Sequence, residues 1–223
     1  MLNALTFLTN VDREEIDGAL GLGVNYHSQY FNITLNGECS LKEEYLPEGD
    51  KEFDLPNNLA IPNSIVYVAN ERNVCKDGLI QSEKLEEIIV VKSLQEGMFA
   101  NNVNINSLTL PDSITILPKN FCNGALNLKT IKNTNNIKEI KDNAFKNSGL
   151  KKALFPNVSI LGESCFETNT SLTFVNLNNI FIFPKKTFYN CLELQTVQAE
   201  KCIEIKESAF ELTPQLININ FSP

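Results

Sequence analysis

The chain has 223 residues, 43% of them hydrophobic, with 27 acidic against 19 basic side chains and a net charge of −8. That length carries a sizeable core, and the acidity excludes the basic footprint that bulk nucleic-acid binding needs. Without a run of 18 apolar residues no membrane-spanning helix and no membrane insertion are expected, and residues 1–10 lack the basic start and small-residue cleavage site of a signal peptide.

Residues 11–20 predict a short helix with Asp12 as its N-cap, ended by Gly18, Gly21 and Gly23. That glycine run lacks the flanking strand and the Lys-Ser/Thr end of a phosphate-binding loop, so it reads as a turn. Phe31-Asn-Ile-Thr-Leu35 alternates and predicts a strand, and Asn36-Gly37 after it is a hairpin signal. Residues 42–54 are acidic and predict a solvated loop. Residues 1–55 together are expected to cap the rest of the chain, because a solenoid exposes raw core at each end.

From residue 56 a repeat sets in. Leu59-Ala-Ile-Pro-Asn-Ser-Ile65 parallels Leu108-Thr-Leu-Pro-Asp-Ser-Ile114 position for position, although residues 69–78 then run polar and predict an irregular excursion. The frame is expected to restart at Leu85-Glu-Glu-Ile88. Phenylalanines 99, 121, 145, 166, 188 and 210 follow at intervals of 22, 24, 21, 22 and 22 residues. Five residues before each stands an apolar residue: Leu94, Ile116, Ile140, Leu161, Phe183 and Ile205. Leu128, Leu150, Leu172, Leu194 and Leu216 open strands that alternate, as in Leu172-Thr-Phe-Val-Asn-Leu177, with Leu and Val inward. A turn follows each strand, then a short apolar pair such as Ile137 and Ile140, or Ile203 and Ile205, then a helical turn ending in the Phe. Several columns held at one period near 22 mark a solenoid of six to seven repeats over residues 56–223, the first degenerate. The last segment, Leu216-Ile-Asn-Ile-Asn-Phe221, reads as a bare strand, and an uncovered strand edge invites pairing.

Ile137-Lys-Glu-Ile-Lys-Asp-Asn-Ala-Phe145 and Thr187-Phe-Tyr-Asn-Cys-Leu-Glu-Leu194 resemble the leucine-rich repeats of the BspA type. The resemblance covers about residues 56–223 and implies a leucine-rich repeat solenoid: stacked parallel short strands joined by short helical or 3-10 turns. Two departures stand out. Only Cys191 sits at the family's cysteine position, and Ala153 replaces a large strand residue. The family is known chiefly as extracellular or surface interaction proteins of bacteria and protists, so the resemblance implies binding or adhesion at a cell surface.

Chemistry is sparse. The single histidine, His27, has no partner motif for a triad. Glu14-Glu15, Glu43-Glu44 and Glu86-Glu87 are adjacent in sequence, and on a strand adjacent side chains point to opposite faces, which makes no acid/base pair; neither zinc nor calcium spacing occurs. No enzymatic activity, metal or cofactor is expected. The six cysteines contain no Cys-x-x-Cys pair, so buried free thiols are expected, with a Cys39–Cys75 disulfide as the alternative. Asn32, Asn157 and Asn169 head glycosylation sequons.

The remaining signal is the outward face of the strands. Residues 129–152 hold seven lysines against two acids. Lys129, Lys132, Lys151 and Lys152 fall on neighbouring rungs, with Leu154 and an exposed Phe174 beside them. Basic groups around an apolar anchor suit an acidic or mixed protein surface. A glycan is the alternative partner, and self-assembly through the open C-terminal strand edge, giving a homo-oligomer, is the alternative function.

Overall fold

A computed structural model describes residues 30–34, 36–45, 55–76 and 79–221. The expected helix at 11–20, the glycine run, His27 and the acidic residues 46–54 lie outside the described residues. The chain winds into a solenoid with two parallel strand ladders per turn. The first ladder runs through β3 (Asn58–Ala60), β7 (Ser107–Thr109) and β9 (Thr130–Lys132), then through β11 (Lys152–Leu154), β13 (Phe174–Asn176), β15 (Thr196–Gln198) and β17 (Asn218–Asn220). The second runs through β8 (Ile116–Leu117), β10 (Glu139–Ile140) and β12 (Ile160–Leu161), then through β14 (Ile182–Phe183) and β16 (Glu204–Ile205). β1 (Phe31–Ile33) and β2 (Glu38–Leu41) form a hairpin around Gly37, and β2 lies parallel to β6 (Ser93–Leu94).

The strands of both ladders are three residues long or shorter because each side of the coil ends in a turn. The central residue of each first-ladder strand points inward: Leu108, Ala153, Val175 and Val197 are fully buried. The register puts like on like, with Ala153 level with Val175 and Val175 level with Val197. Leu59 pairs with Leu108, so the first, degenerate turn shares the frame.

The side of the coil that carries the phenylalanines forms a third ladder, here called the arc. In each arc alternate N–H groups donate to carbonyls of the next. Phe145 donates to Cys165, Phe166 to Thr187 and Phe188 to Ala209, at 2.8–3.0 Å. Positive φ four residues apart brackets these arcs, at Asn143 and Asn147 and again at Lys186 and Asn190. Asparagine tolerates that left-handed geometry better than most residues. The rings stack behind it, with centroids of Phe145 and Phe166, and of Phe166 and Phe188, 5.5 Å apart.

The structure corrects the sequence frame in one turn. Ile140 pairs with Leu117, so Leu117 is buried and Ile116 is 43% exposed. One residue of slip flips a strand's faces. The same slip runs through the arc: Phe99 donates to Phe121, and Cys122 donates to Ala144. Cys122 therefore stands where Phe145 stands one turn later, and Phe121 where Ala144 stands. Large and small have exchanged places, and the pair still fills the core: Phe121 is fully buried, 5.4 Å from Phe99 and 6.3 Å from Phe145. Ile203 is a second correction. Cys202, not Ile203, occupies the column of Ile137, and Ile203 is 84% exposed.

The expected irregular excursion is a long antiparallel hairpin, β4 (Ser64–Lys76) with β5 (Leu79–Val90), bulged between Val68 and Asn70. Leu85 lies inside β5, paired with Asn70, and so does not restart the frame; β6 does. Both arms are rich in β-branched residues, Ile65-Val66-Tyr67-Val68 against Ile88-Ile89-Val90, which favours strands over a polar loop.

From β7 and β8 onward each strand ladder is interrupted once. Between β9 and β11 the column of Leu110, Phe155, Leu177 and Ala199 holds Asn133 instead. Its φ of 63° turns it outward, where its amide donates to the Leu110 carbonyl at 2.8 Å and to Asp112 at 2.6 Å. Thr134 Oγ1 takes the Leu154 carbonyl in its place. Phe155 reaches Phe145 and Phe166 from the next turn, at 5.7 and 6.2 Å. Between β12 and β14, Pro184 has no N–H to match the bonds that Lys141, Gly162 and Lys206 donate to the preceding turn.

Cys39, Cys122, Cys165 and Cys191 are buried free thiols and Cys202 is partly buried, so the Cys39–Cys75 disulfide is not formed. Of the sequon asparagines, Asn169 is fully buried, its amide donating to the Phe145 and Phe166 carbonyls. Asn157 spends its amide on the Asn135 carbonyl, and Asn32 is exposed.

Candidate interaction face

The interruption after β9 shapes the face that the sequence singled out. Lys129 and Lys151 precede β9 and β11 and adjoin in one column, which Thr173 continues by donating its N–H to the Lys151 carbonyl at 2.9 Å. Lys152 is level with Phe174 and Thr196, and Leu154 with Asn176 and Gln198. All four lysines are exposed, and among the described residues none of them forms an ion pair. They straddle the place where the ladder breaks. Lys129 and Lys151 stay adjacent there, since the Lys151 N–H donates to the Lys129 carbonyl at 3.5 Å, while Lys132 on β9 has no partner strand in β11.

The two apolar members differ. Leu154 is 46% exposed because the rung before it does not pair with its strand. Phe174 is half-buried rather than exposed. It sits on an inner strand, flanked by Lys152 on one side and Thr196 on the other, and neighbours about 4.8 Å away cover its ring edges. The face is thus a basic patch around one open aliphatic side chain, with the aromatic set into its floor. Beyond Phe174 it turns neutral: Thr196 and Gln198 on β15, Asn218 and Asn220 on β17.

Nothing else in the described residues offers catalytic chemistry. No cluster of metal-binding side chains occurs among them. A hollow of about 370 Å³ lies along β2 and β6, lined in part by Thr34, Glu38, Cys39 and Gln95. Burial pushes the Cys39 thiol up to about 12, so it stays protonated and is no nucleophile.

A second surface escaped the sequence reading. On the second ladder Ile160, Phe181, Ile182 and Ile203 are 56%, 49%, 36% and 84% exposed. They cover three successive rungs, and the Ile203 N–H donates to the Phe181 carbonyl. β8, β12 and β14 carry apolar residues on both faces, so periodicity does not say which point out. Only the register does.

A family model described as the BspA-type leucine-rich repeat region matches in six copies, over residues 55–173 and 92–217. A leucine-rich repeat protein from Bacteroides ovatus superposes with a TM-score of 0.58 at 20% identity, over 86% of this chain and 51% of that one. A leucine-rich cell surface protein from Faecalibacterium prausnitzii gives 0.51 at 15% identity, over 86% and 52%. The chain thus spans about half the length of these two structures. It also aligns at 28% identity over 134 residues with a glutamine–fructose-6-phosphate aminotransferase of Helicobacter pylori, covering 59% of this chain but only 21% of that enzyme.

Proposed function

Since the chain belongs to the BspA-type leucine-rich repeat family, a fold commonly used for protein binding or adhesion, we propose that it is a non-enzymatic binding module that presents its first ladder to a protein partner. The observation that carries this reading is the patch of Lys129, Lys132, Lys151 and Lys152, exposed and without ion pairs among the described residues, around Leu154. Lysine side chains on an edge serve solubility, but here they surround an open apolar group over a half-buried aromatic. That is the make-up of a small contact site: an apolar anchor with a charged rim that steers an acidic partner. The aminotransferase likeness covers too little of that enzyme to bear on activity. A place at the cell surface belongs to the same reading, supported by the likeness to the Faecalibacterium cell surface protein.

The test compares the chain with a variant carrying Lys129→Glu, Lys151→Glu and Phe174→Ala. A captured protein is identified, and its affinity for both forms is measured across a salt series. The proposal expects affinity to fall by at least about thirtyfold, the size of a hot-spot loss, with matching circular dichroism melts up to the Phe174 truncation. Equal affinity for both forms overturns it.

A further inference from the structure

The dipeptide Asn-Gly occurs twice, as Asn36-Gly37 and as Asn123-Gly124. Asparagine is a chemically labile residue, and before a glycine no side chain shields its amide from the next backbone nitrogen. The fold holds the two copies differently. Asn123 is half-buried in the arc. Its carbonyl accepts from the Asn101 N–H at 2.6 Å, its own N–H donates to Asn120 at 3.2 Å, and the Gly124 N–H donates to Lys146 at 2.8 Å. Its side-chain amide also donates to Asn120 Oδ1 at 3.4 Å. Moving either residue therefore means parting one arc from its neighbours. Asn36 is exposed at the tip of the β1–β2 hairpin, and among the described residues neither its backbone nor its side chain forms a hydrogen bond. The Gly37 N–H donates to the Thr34 carbonyl at 2.9 Å, a bond within the turn that opens without disturbing a ladder.

We propose that Asn36 is a site of spontaneous modification, that it converts to isoaspartate, and that the change loosens the hairpin from the coil. The Gly37 nitrogen attacks Asn36 Cγ. A carbon–nitrogen bond forms, the side-chain amide leaves as ammonia, and the proton lost from the Gly37 nitrogen ends on that ammonia. Water then opens the cyclic imide at either carbonyl, giving aspartate or isoaspartate, with nothing oxidised or reduced. In isoaspartate the main chain runs through the side-chain CH2 and gains about 1.5 Å of contour. Gly37 has no slack to absorb that. Its φ is 83°, a Cβ there would run into the Val90 carbonyl, and its own carbonyl accepts from both Lys92 and Ser93, at 2.7 and 3.3 Å. Those two bonds begin the pairing of β2 with β6, which Gln95 continues by donating to Cys39 at 2.9 Å. The same close approach is why a glycine must follow Asn36. The proposal does not depend on the lysine face.

Peptide mapping by mass spectrometry after storage of the whole chain at neutral pH tests this, with Asn123 as the internal control. The expected result is amide-to-acid conversion at Asn36 at least about tenfold faster than at Asn123, because the arc must open before Asn123 can react. The converted Asn36 peptide should accept a methyl group from an isoaspartate methyltransferase. In urea the two sites should react alike. Equal rates in the folded chain overturn the proposal. So does a preference for Asn36 that survives in urea, since the sequence and not the fold would then select the site. Hydrogen exchange at Gln95 reads the loosening. It should rise several-fold in the isoaspartate form and stay unchanged in Asn36→Asp, which adds the charge without lengthening the main chain. Unchanged exchange in the isoaspartate form overturns the loosening. Asn36→Gln should keep the fold and hold exchange at its starting value throughout storage; a rise as large as in the unsubstituted chain likewise overturns it.

Discussion

At the scale of single residues, burial decides what the polar and titratable groups do. Cys39, Cys122, Cys165 and Cys191 are buried, and burial is the largest cause that drives their thiols upward, to about 12 for Cys39 and Cys191. A thiol whose folded pKa exceeds its unfolded value keeps its proton in the native state while the unfolded chain loses it. Stability is therefore complete below about pH 9 and declines as pH rises from there toward 12. The slope is up to about 1.4 kcal/mol per pH unit for each such thiol. Thermal melts from pH 7 to 11 should show the midpoint falling only above pH 9; a flat profile would contradict the assignment. A thiol reagent under native conditions should modify Cys202 ahead of the four enclosed cysteines, which ought to react only on unfolding.

Asn169 makes the opposite case, a buried polar group whose bonds are all made. Its amide ties the Phe145 carbonyl of one turn to the Phe166 carbonyl of its own, at 2.6 and 2.9 Å, and its oxygen accepts from Ser148 Oγ at 2.5 Å. Asn169→Ala leaves those buried partners unsatisfied and is expected to cost about 2–3 kcal/mol, readable as a drop in the urea midpoint. The sequence marks this residue only as a sequon. Its enclosure comes from the neighbouring arcs, and no local pattern around Asn169 announces them.

At the scale of elements, the repeat was legible wherever one column of residues is inward in every turn. Leu128, Leu150, Leu172 and Leu194 are all fully enclosed. It failed where two adjacent apolar residues compete for one place. Ile116 and Leu117 both satisfy the pattern, and Phe121 drew the frame to the wrong one, because a phenylalanine in a phenylalanine column looks decisive. The structure instead accepts an exchange between neighbours, Phe121 with Cys122, whose combined volume matches the Ala144 and Phe145 pair. Cores tolerate swaps that conserve volume, and that tolerance sets a test. Phe121→Ala alone opens a cavity and should cost about 3–5 kcal/mol. Adding Cys122→Phe rebuilds the arrangement of the next turn and should recover most of that loss in a denaturant titration. No recovery would mean that the two positions are not equivalent to Ala144 and Phe145. The hairpin of β4 and β5 was hidden for another reason: an insertion has no period. The lysine patch was legible as composition, but the break beside it was not, since it follows from the backbone of Asn133.

At the scale of the whole molecule, what matters is where the interruptions fall. A solenoid is held by contacts between neighbouring turns, so a boundary that lost all its bonds would split the coil into independently melting halves. The first ladder breaks between β9 and β11, where the second still joins β10 to β12. The second breaks between β12 and β14, where the first still joins β11 to β13. The arc crosses both boundaries, through Phe145 to Cys165 at the first and Phe166 to Thr187 at the second, at 2.8 and 3.0 Å. The breaks are staggered, and no boundary between Gly97 and the arc of Phe210 relies on one ladder alone; only the final strand, β17, is held by the first ladder alone. Staggering lets the lysine face open at Asn133 without dividing the core beneath it. The coil should accordingly unfold in a single transition, with far-ultraviolet circular dichroism and tyrosine fluorescence giving one urea midpoint. Of the five tyrosines, Tyr189 reports from the arc of the later turns and the other four from the N-terminal third, and the ellipticity reports from every strand. A midpoint for tyrosine that differs from the ellipticity would show that one boundary parts first, and hydrogen exchange at Asn133 and Phe155 against exchange at Ile182 and Phe183 would tell which.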